Sequence, residues 1–200
     1  MPLACLIGGK ILTMHGGIST KLENWKNFET IQRPLVEVSD NALAQDLIWE
    51  DPAADESLDA LSREPKWSKN ALRGLSCTFN SQCVDDVCKT FKIKLIIRAH
   101  QMIPDGFQFT ANKKLLTIFS APRYMNENDN RGAIVRIRED GKFGIIVFNK
   151  TMGGKNPLNE ELTRADYIPN VSAKKKSDTV VNDIKTALQT AFFDSKSSQK

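Results

Sequence analysis

The sequence predicts a mixed α/β domain over about residues 1–149, followed by a basic tail over 150–200. Three observations lead there. Short apolar runs of strand length recur between turn-forming residues. Two segments carry apolar residues at helical spacing. The character of the chain changes after Asn149, where Gly153-Gly154 and Pro157 break the pattern.

The elements follow in order. Residues 2–7 and 10–14 read as two short strands split by Gly8-Gly9, the second stopping at His15-Gly16-Gly17. Ser39 is the expected N-cap of a helix over 40–48, with Ala42, Leu43 and Leu47 on one face. Pro52 then favours extended or turning backbone, and the polar stretch 53–70 reads as a surface loop. Ser81 is the expected cap of a second helix over 82–92, where Val84, Val87, Cys88 and Phe91 share a face. Leu95-Ile96-Ile97 is a short buried strand ending at Arg98-Ala99-His100. Phe107–Thr110 and Leu115–Ser120 form a strand pair. Ala133–Arg138 and Lys142–Phe148 form a hairpin with Asp140-Gly141 in its turn. About six or seven strands are expected in all, and a helix over 179–193 in the tail.

Composition narrows the function. The chain has 200 residues, enough for one domain with a core plus a tail. Apolar residues make up 40% and charged residues 26%, which excludes a wholly disordered chain. No apolar run reaches the roughly 18 residues of a membrane helix, so no membrane association is expected. Net charge is +4, and the tail carries +3 of it, nine basic residues against six acidic. The nearly neutral body argues against a dedicated nucleic-acid-binding domain. Cys5, Cys77, Cys83 and Cys88 have neither zinc-knuckle spacing nor the density of a disulfide framework. Reduced thiols in the cytoplasm or nucleus are expected.

Candidate chemistry falls at strand ends, although a structural or exposed role is the plainer reading of either histidine taken alone. His15 and His100, the two histidines of the chain, each follow an apolar strand. In α/β folds, functional groups stand where strands end and loops open onto a crevice. Phe119-Ser120-Ala121-Pro122-Arg123-Tyr124 is a third strand end. Arg73, beside Gly74, has the fork geometry that suits phosphate, although a surface charge is the plainer reading of an arginine alone.

These fragments occur in a telling order. His15-Gly16-Gly17-Ile18-Ser19, Asp46-Leu47-Ile48-Trp49-Glu50-Asp51-Pro52, Arg73-Gly74 with Phe79 behind, Arg98-Ala99-His100-Gln101 and Ser120-Ala121-Pro122-Arg123-Tyr124 resemble the serine/threonine protein phosphatases of the phosphoprotein phosphatase family. The set looks closest to the type 1 branch and covers about residues 1–149. The resemblance implies a calcineurin-like metallophosphoesterase fold, a β-sandwich flanked by helices. It implies two divalent metals, manganese, iron or zinc, that activate a water for attack on phosphoserine or phosphothreonine in proteins. His15 and His100 look like ligands of the same metal. Arg73 resembles a phosphate-binding arginine, Tyr124 the tyrosine bordering the phosphate site, and Asp51 the acidic residue near that pocket.

The family's Gly-Asp-x-His-Gly, Gly-Asp-x-x-Asp-Arg-Gly and Gly-Asn-His-Glu motifs have no counterpart in these 200 residues. The chain is therefore expected to correspond to the C-terminal half of the catalytic domain, with a partial metal site and no turnover of its own. Met125, Asn126, Asn128 and Arg123 also depart from the type 1 pattern in the loop around the tyrosine. A non-catalytic binding module is the alternative. Ile11, Leu95, Phe109, Phe143 and Ile145 resemble the apolar groove on which type 1 relatives dock regulatory subunits, while core packing is the plainer reading of alternating apolar residues.

Overall fold

The computed structural model describes residues 1–53 and 66–148. The polar loop expected after Pro52 lies partly outside these residues. The tail, its expected helix over 179–193 and the domain boundary near 149 lie outside them.

Ten strands and two α-helices are seen among the described residues: β1 (Ala4–Ile7), β2 (Ile11–Met14), α1 (Ala42–Trp49), β3 (Asp51–Pro52), β4 (Trp67–Lys69), β5 (Cys77–Phe79), α2 (Ser81–Thr90), β6 (Leu95–Arg98), β7 (Phe107–Thr110), β8 (Leu115–Ile118), β9 (Gly132–Ile137) and β10 (Phe143–Phe148). The strands form a five-stranded sheet in the order β1-β2-β6-β8-β7, the hairpin β9-β10, and a small sheet β3-β5-β4. The small sheet was not expected from the sequence. Its strands are two or three residues long and lack a readable period.

In the main sheet β2, β6 and β8 are mutually parallel, and β1 and β7 flank them antiparallel. Strand alternation sorts its side chains to two faces. Ile11, Leu95, Ile97 and Leu116 pack with Ala133, Phe143 and Ile145 of the β9-β10 hairpin. Leu12, Met14, Ile96 and Leu115 pack with Leu43 and Leu47 of α1 and Val84, Val87 and Cys88 of α2. The result is a sheet covered by a hairpin on one face and helices on the other, in agreement with the expected mixed fold.

The caps correct the sequence reading by one or two positions. Asn41, not Ser39, caps α1 by accepting from the Ala44 amide, and Ser39 lies in a short 3-10 turn. Asn80, not Ser81, caps α2 by accepting from the Gln82 and Cys83 amides. Asparagine serves this role as well as serine, and spacing alone does not choose between neighbours.

Because β2, β6 and β8 run parallel, their C-terminal ends share one edge of the sheet. That edge carries His15, the Arg98–His100 segment and the loop containing Tyr124.

Candidate metal and phosphate site

His15 Nε2 and His100 Nδ1 face each other at 3.1 Å. The backbone fixes this approach, since the Ala99 amide donates to the His15 carbonyl at 2.9 Å. His100 itself lies in the left-handed region at φ 61. A non-glycine residue held there stores strain that the surrounding contacts must support. Trp49 packs edge-on against its ring at 5.3 Å.

Gly16 and Gly17 owe their identity to crowding rather than to turning. A Cβ at Gly16 would collide with the Ile48 and Trp49 backbone at the end of α1, and one at Gly17 with the Phe79 ring. The Gly16 amide donates to the Leu47 carbonyl at 2.7 Å. These glycines let α1 press against the end of β2 beside His15.

Behind the histidines lies a buried charge network. Arg98, whose side chain is 0% exposed, donates through Nη2 to Asp51 Oδ1 at 2.7 Å and to the Glu50 carbonyl at 3.0 Å. Its Nη1 donates to Gln101 Oε1, and its Nε to the Gly16 carbonyl. Asp51 Oδ2 accepts from Arg73 Nε at 3.0 Å and from Asn70 Nδ2 at 3.0 Å. Arg73 Nη2 reaches the His100 carbonyl at 3.3 Å. Asn70 Oδ1 accepts the Arg73 amide, which sets the turn that aims the arginine. The Arg73 side chain keeps 25% exposure.

The network sets protonation. Burial pushes the Asp51 carboxyl up, but hydrogen bonds from Arg73 and Asn70 and the Arg98 charge outweigh it and hold the group below the ordinary range. Burial lowers Arg98 to about 10, against the stabilising charge of Asp51. Burial and the Arg73 charge push His100 down to about 4. Burial, then the charges of Arg98 and Arg73, lower His15. Both imidazoles are therefore neutral near pH 7 and carry lone pairs.

A divalent metal fits this pair. The neutral ring nitrogens His15 Nε2 and His100 Nδ1 converge at 3.1 Å, and imidazole nitrogen is a common ligand of such ions. The donor set is incomplete, because no group of three or more His, Cys, Asp or Glu side chains is placed to hold a metal among the described residues.

The structure thus brings His15, His100, Arg73 and Asp51 into one cluster. Tyr124 stands on the same edge, 44% exposed, with its ring against Phe119 at 5.0 Å. Its amide is held by Asn130 Oδ1, and Arg123, Met125 and Asn126 beside it adopt positive φ. Ile11, Leu95, Phe143 and Ile145 are buried between the main sheet and the hairpin, whereas Phe109 is half-buried. Arg98 and Asn70 were given no role from the sequence. Asn70 shows only as a polar residue three before Arg73, and Arg98 reads as an ordinary charge at a strand end.

Comparison with known proteins places the chain in a family. The family described as calcineurin-like phosphoesterase matches residues 1–104. The chain is 39% identical over 68% of its length to serine/threonine-protein phosphatase C23G10.1 of Caenorhabditis elegans, spanning 28% of that protein. It is 37% identical over 76% of its length to serine/threonine-protein phosphatase PP1-delta of Caenorhabditis elegans, spanning 46% of it. The chain spans less than half the length of these relatives. A solved serine/threonine phosphatase from Saccharomyces cerevisiae, described as similar to human phosphatase PP5, superposes with a TM-score of 0.63 at 25% identity, over 77% of this chain and 49% of that one. On these matches the chain belongs to the calcineurin-like phosphoesterase family, in its serine/threonine protein phosphatase branch.

Proposed function

We propose that this chain contributes one metal's imidazole pair and a phosphate-binding arginine to a protein phosphoserine/phosphothreonine phosphatase. The observation that carries the reading is the 3.1 Å approach of His15 and His100 beside an arginine locked by a buried carboxylate. His15 Nε2 and His100 Nδ1 would hold one divalent metal, manganese, iron or zinc. A metal there polarises a phosphoryl oxygen and lowers the pKa of bound water. Arg73 binds phosphoryl oxygens with the N–H groups that Asp51 and the His100 carbonyl do not use. Asp51 is a positioning residue, which fixes the guanidinium and its charge state. Tyr124 borders the same edge. Arg98 holds Asp51 from the buried side of the cluster.

The 200-residue chain alone is proposed to be inactive, because its described residues offer too few metal ligands. Substrate phosphoproteins and regulatory subunits with short docking motifs are proposed partners of the whole protein. The four cysteines are free, which suits the cytoplasm or nucleus. No helix among the described residues is long and apolar enough to cross a membrane.

The test is capture of a phosphoserine peptide by the chain in manganese. Preference over the unphosphorylated peptide, lost in Arg73→Ala, supports the reading. Equal capture of both peptides overturns it. Manganese-stimulated hydrolysis abolished by His100→Ala would overturn the proposed inactivity while keeping the site.

A further inference from the structure

Seven large hydrophobic side chains stand exposed among the described residues, and four of them lie on the segments that carry the candidate site. Leu72, 85% exposed, immediately precedes Arg73. Met102, 37% exposed, comes two residues after His100. Tyr124 and Met125 stand exposed in the loop that follows β8. Met1, Val36 and Ile134 are the other three. Single exposed apolar side chains are ordinary on any surface. Their concentration on the segments of one site is a mark of binding.

The backbone joins these segments. Arg73 Nη2 donates to the His100 carbonyl at 3.3 Å, which ties the turn of Leu72 to the segment of Met102. The Phe119 amide donates to the Gly106 carbonyl, and the Arg131 amide to the Pro104 carbonyl, each at 2.8 Å. Those bonds tie the Met102 segment to the loop of Tyr124 and Met125. The turn of Leu72 is pinned at its base by Asn70. The Asn70 carbonyl accepts the Gly74 amide at 2.9 Å, its Oδ1 accepts the Arg73 amide at 3.1 Å, and its Nδ2 donates to buried Asp51 at 3.0 Å. The leucine is therefore held out in solvent, one residue from the arginine. The Met102 segment is fixed too, because Gln101 Oε1 accepts from Arg98 Nη1 at 2.8 Å.

The chemistry around Leu72 and Met102 chooses the occupant. Residues 66–76 and 98–104 contain no Asp or Glu. Asp51 is buried and already accepts from Arg98, Arg73 and Asn70. Asp105, the next acid after Met102, pairs with Arg131 at 3.9 Å. A basic side chain beside a bound phosphate gains no carboxylate from these two segments. An acidic one would set its charge against apolar surface. An apolar one removes its own surface and theirs from water.

We infer that Leu72 and Met102 select substrates, packing against the apolar residues that flank a phosphoserine while Arg73 holds the phosphate. The inference rests on the proposed phosphatase reading and adds to it the class of sequence around the phosphate.

The test uses the 200-residue chain in manganese and fluorescein-labelled peptides, read by anisotropy. Each peptide carries one phosphoserine flanked on both sides by leucine, asparagine, lysine or glutamate, and each has an unphosphorylated twin. The leucine-flanked phosphopeptide is expected to bind about tenfold tighter than the asparagine-flanked one. Leu72→Ser/Met102→Ser should bring those two within about twofold of each other, while each keeps its preference over its unphosphorylated twin. Leu72→Ser alone keeps the test valid if the double variant unfolds, and should weaken leucine-flanked binding about threefold. Ile134→Ser, at an exposed hydrophobic position on β9, should change neither preference. Phosphopeptide binding that ignores the flanks, or favours lysine or glutamate over leucine, overturns the inference and leaves the phosphatase reading intact. So does a leucine preference that survives in Leu72→Ser/Met102→Ser, or one that Ile134→Ser removes as well. Equal binding of phosphorylated and unphosphorylated twins overturns the phosphatase reading and the inference with it.

Discussion

Arg98 Nη2 donates to Asp51 Oδ1 at 2.7 Å, with the two side chains 0% and 3% exposed. The pair is the foundation of the site, because the same Asp51 carboxylate also holds Arg73. A buried charge left without its partner is far more costly than the intact pair is stabilising. Asp51→Ala is therefore expected to lose about 3–5 kcal/mol in urea unfolding. Asp51→Asn combined with Arg98→Met removes both charges and should lose clearly less than Asp51→Ala. Equal losses would show that the uncompensated arginine is not the cause.

Glu50 precedes Asp51 and faces inward. It is 0% exposed, and neither carboxyl oxygen has a hydrogen-bond partner among the described residues. Burial and the nearby Asp46 charge push its pKa up to about 9, and the Lys21 charge offsets this only partly. The folded chain then keeps a proton that the unfolded chain releases above about pH 4.5. Stability should fall as pH rises from about 5 toward 9, by at most about 1.4 kcal/mol per unit from this group. Chemical denaturation at pH 5, 7 and 8.5 should show this slope in the parent chain and a flatter one in Glu50→Gln. Parallel slopes would mean that Glu50 does not bind the proton.

Gly16 tests whether crowding positions His15. A methyl group there meets the Ile48 backbone, which cannot swing aside as a side chain can. Gly16→Ala should cost about 2–3 kcal/mol and weaken metal binding. Gly144, in β10, faces open space, so Gly144→Ala should change stability by about 1 kcal/mol or less and leave metal binding intact. Thermal melts of both variants, with and without manganese, separate the two cases.

The main sheet was legible because its apolar runs are short, regular and punctuated. Ile11–Met14 and Leu95–Arg98 end at the histidines that the sequence singled out. Motif order, rather than composition, joined Arg73 and Asp51 to them. The parts that were not legible depend on distance across the chain. Nothing near Arg98 in sequence shows that it will be buried against Asp51, 47 residues away. The left-handed backbone of His100 is imposed by its surroundings, and histidine itself gives no signal for it. The small sheet was missed because Trp67–Lys69 looks like a polar loop until Cys77–Phe79 pairs with it.

The central claim is that His15 and His100 share one metal. A cobalt(II) titration of the chain, followed by visible absorption, tests it directly. Binding of one equivalent is predicted, with His15→Ala and His100→Ala each abolishing it and Arg73→Ala leaving it in place. Two independent equivalents, or a signal that survives loss of either histidine, would contradict a shared site.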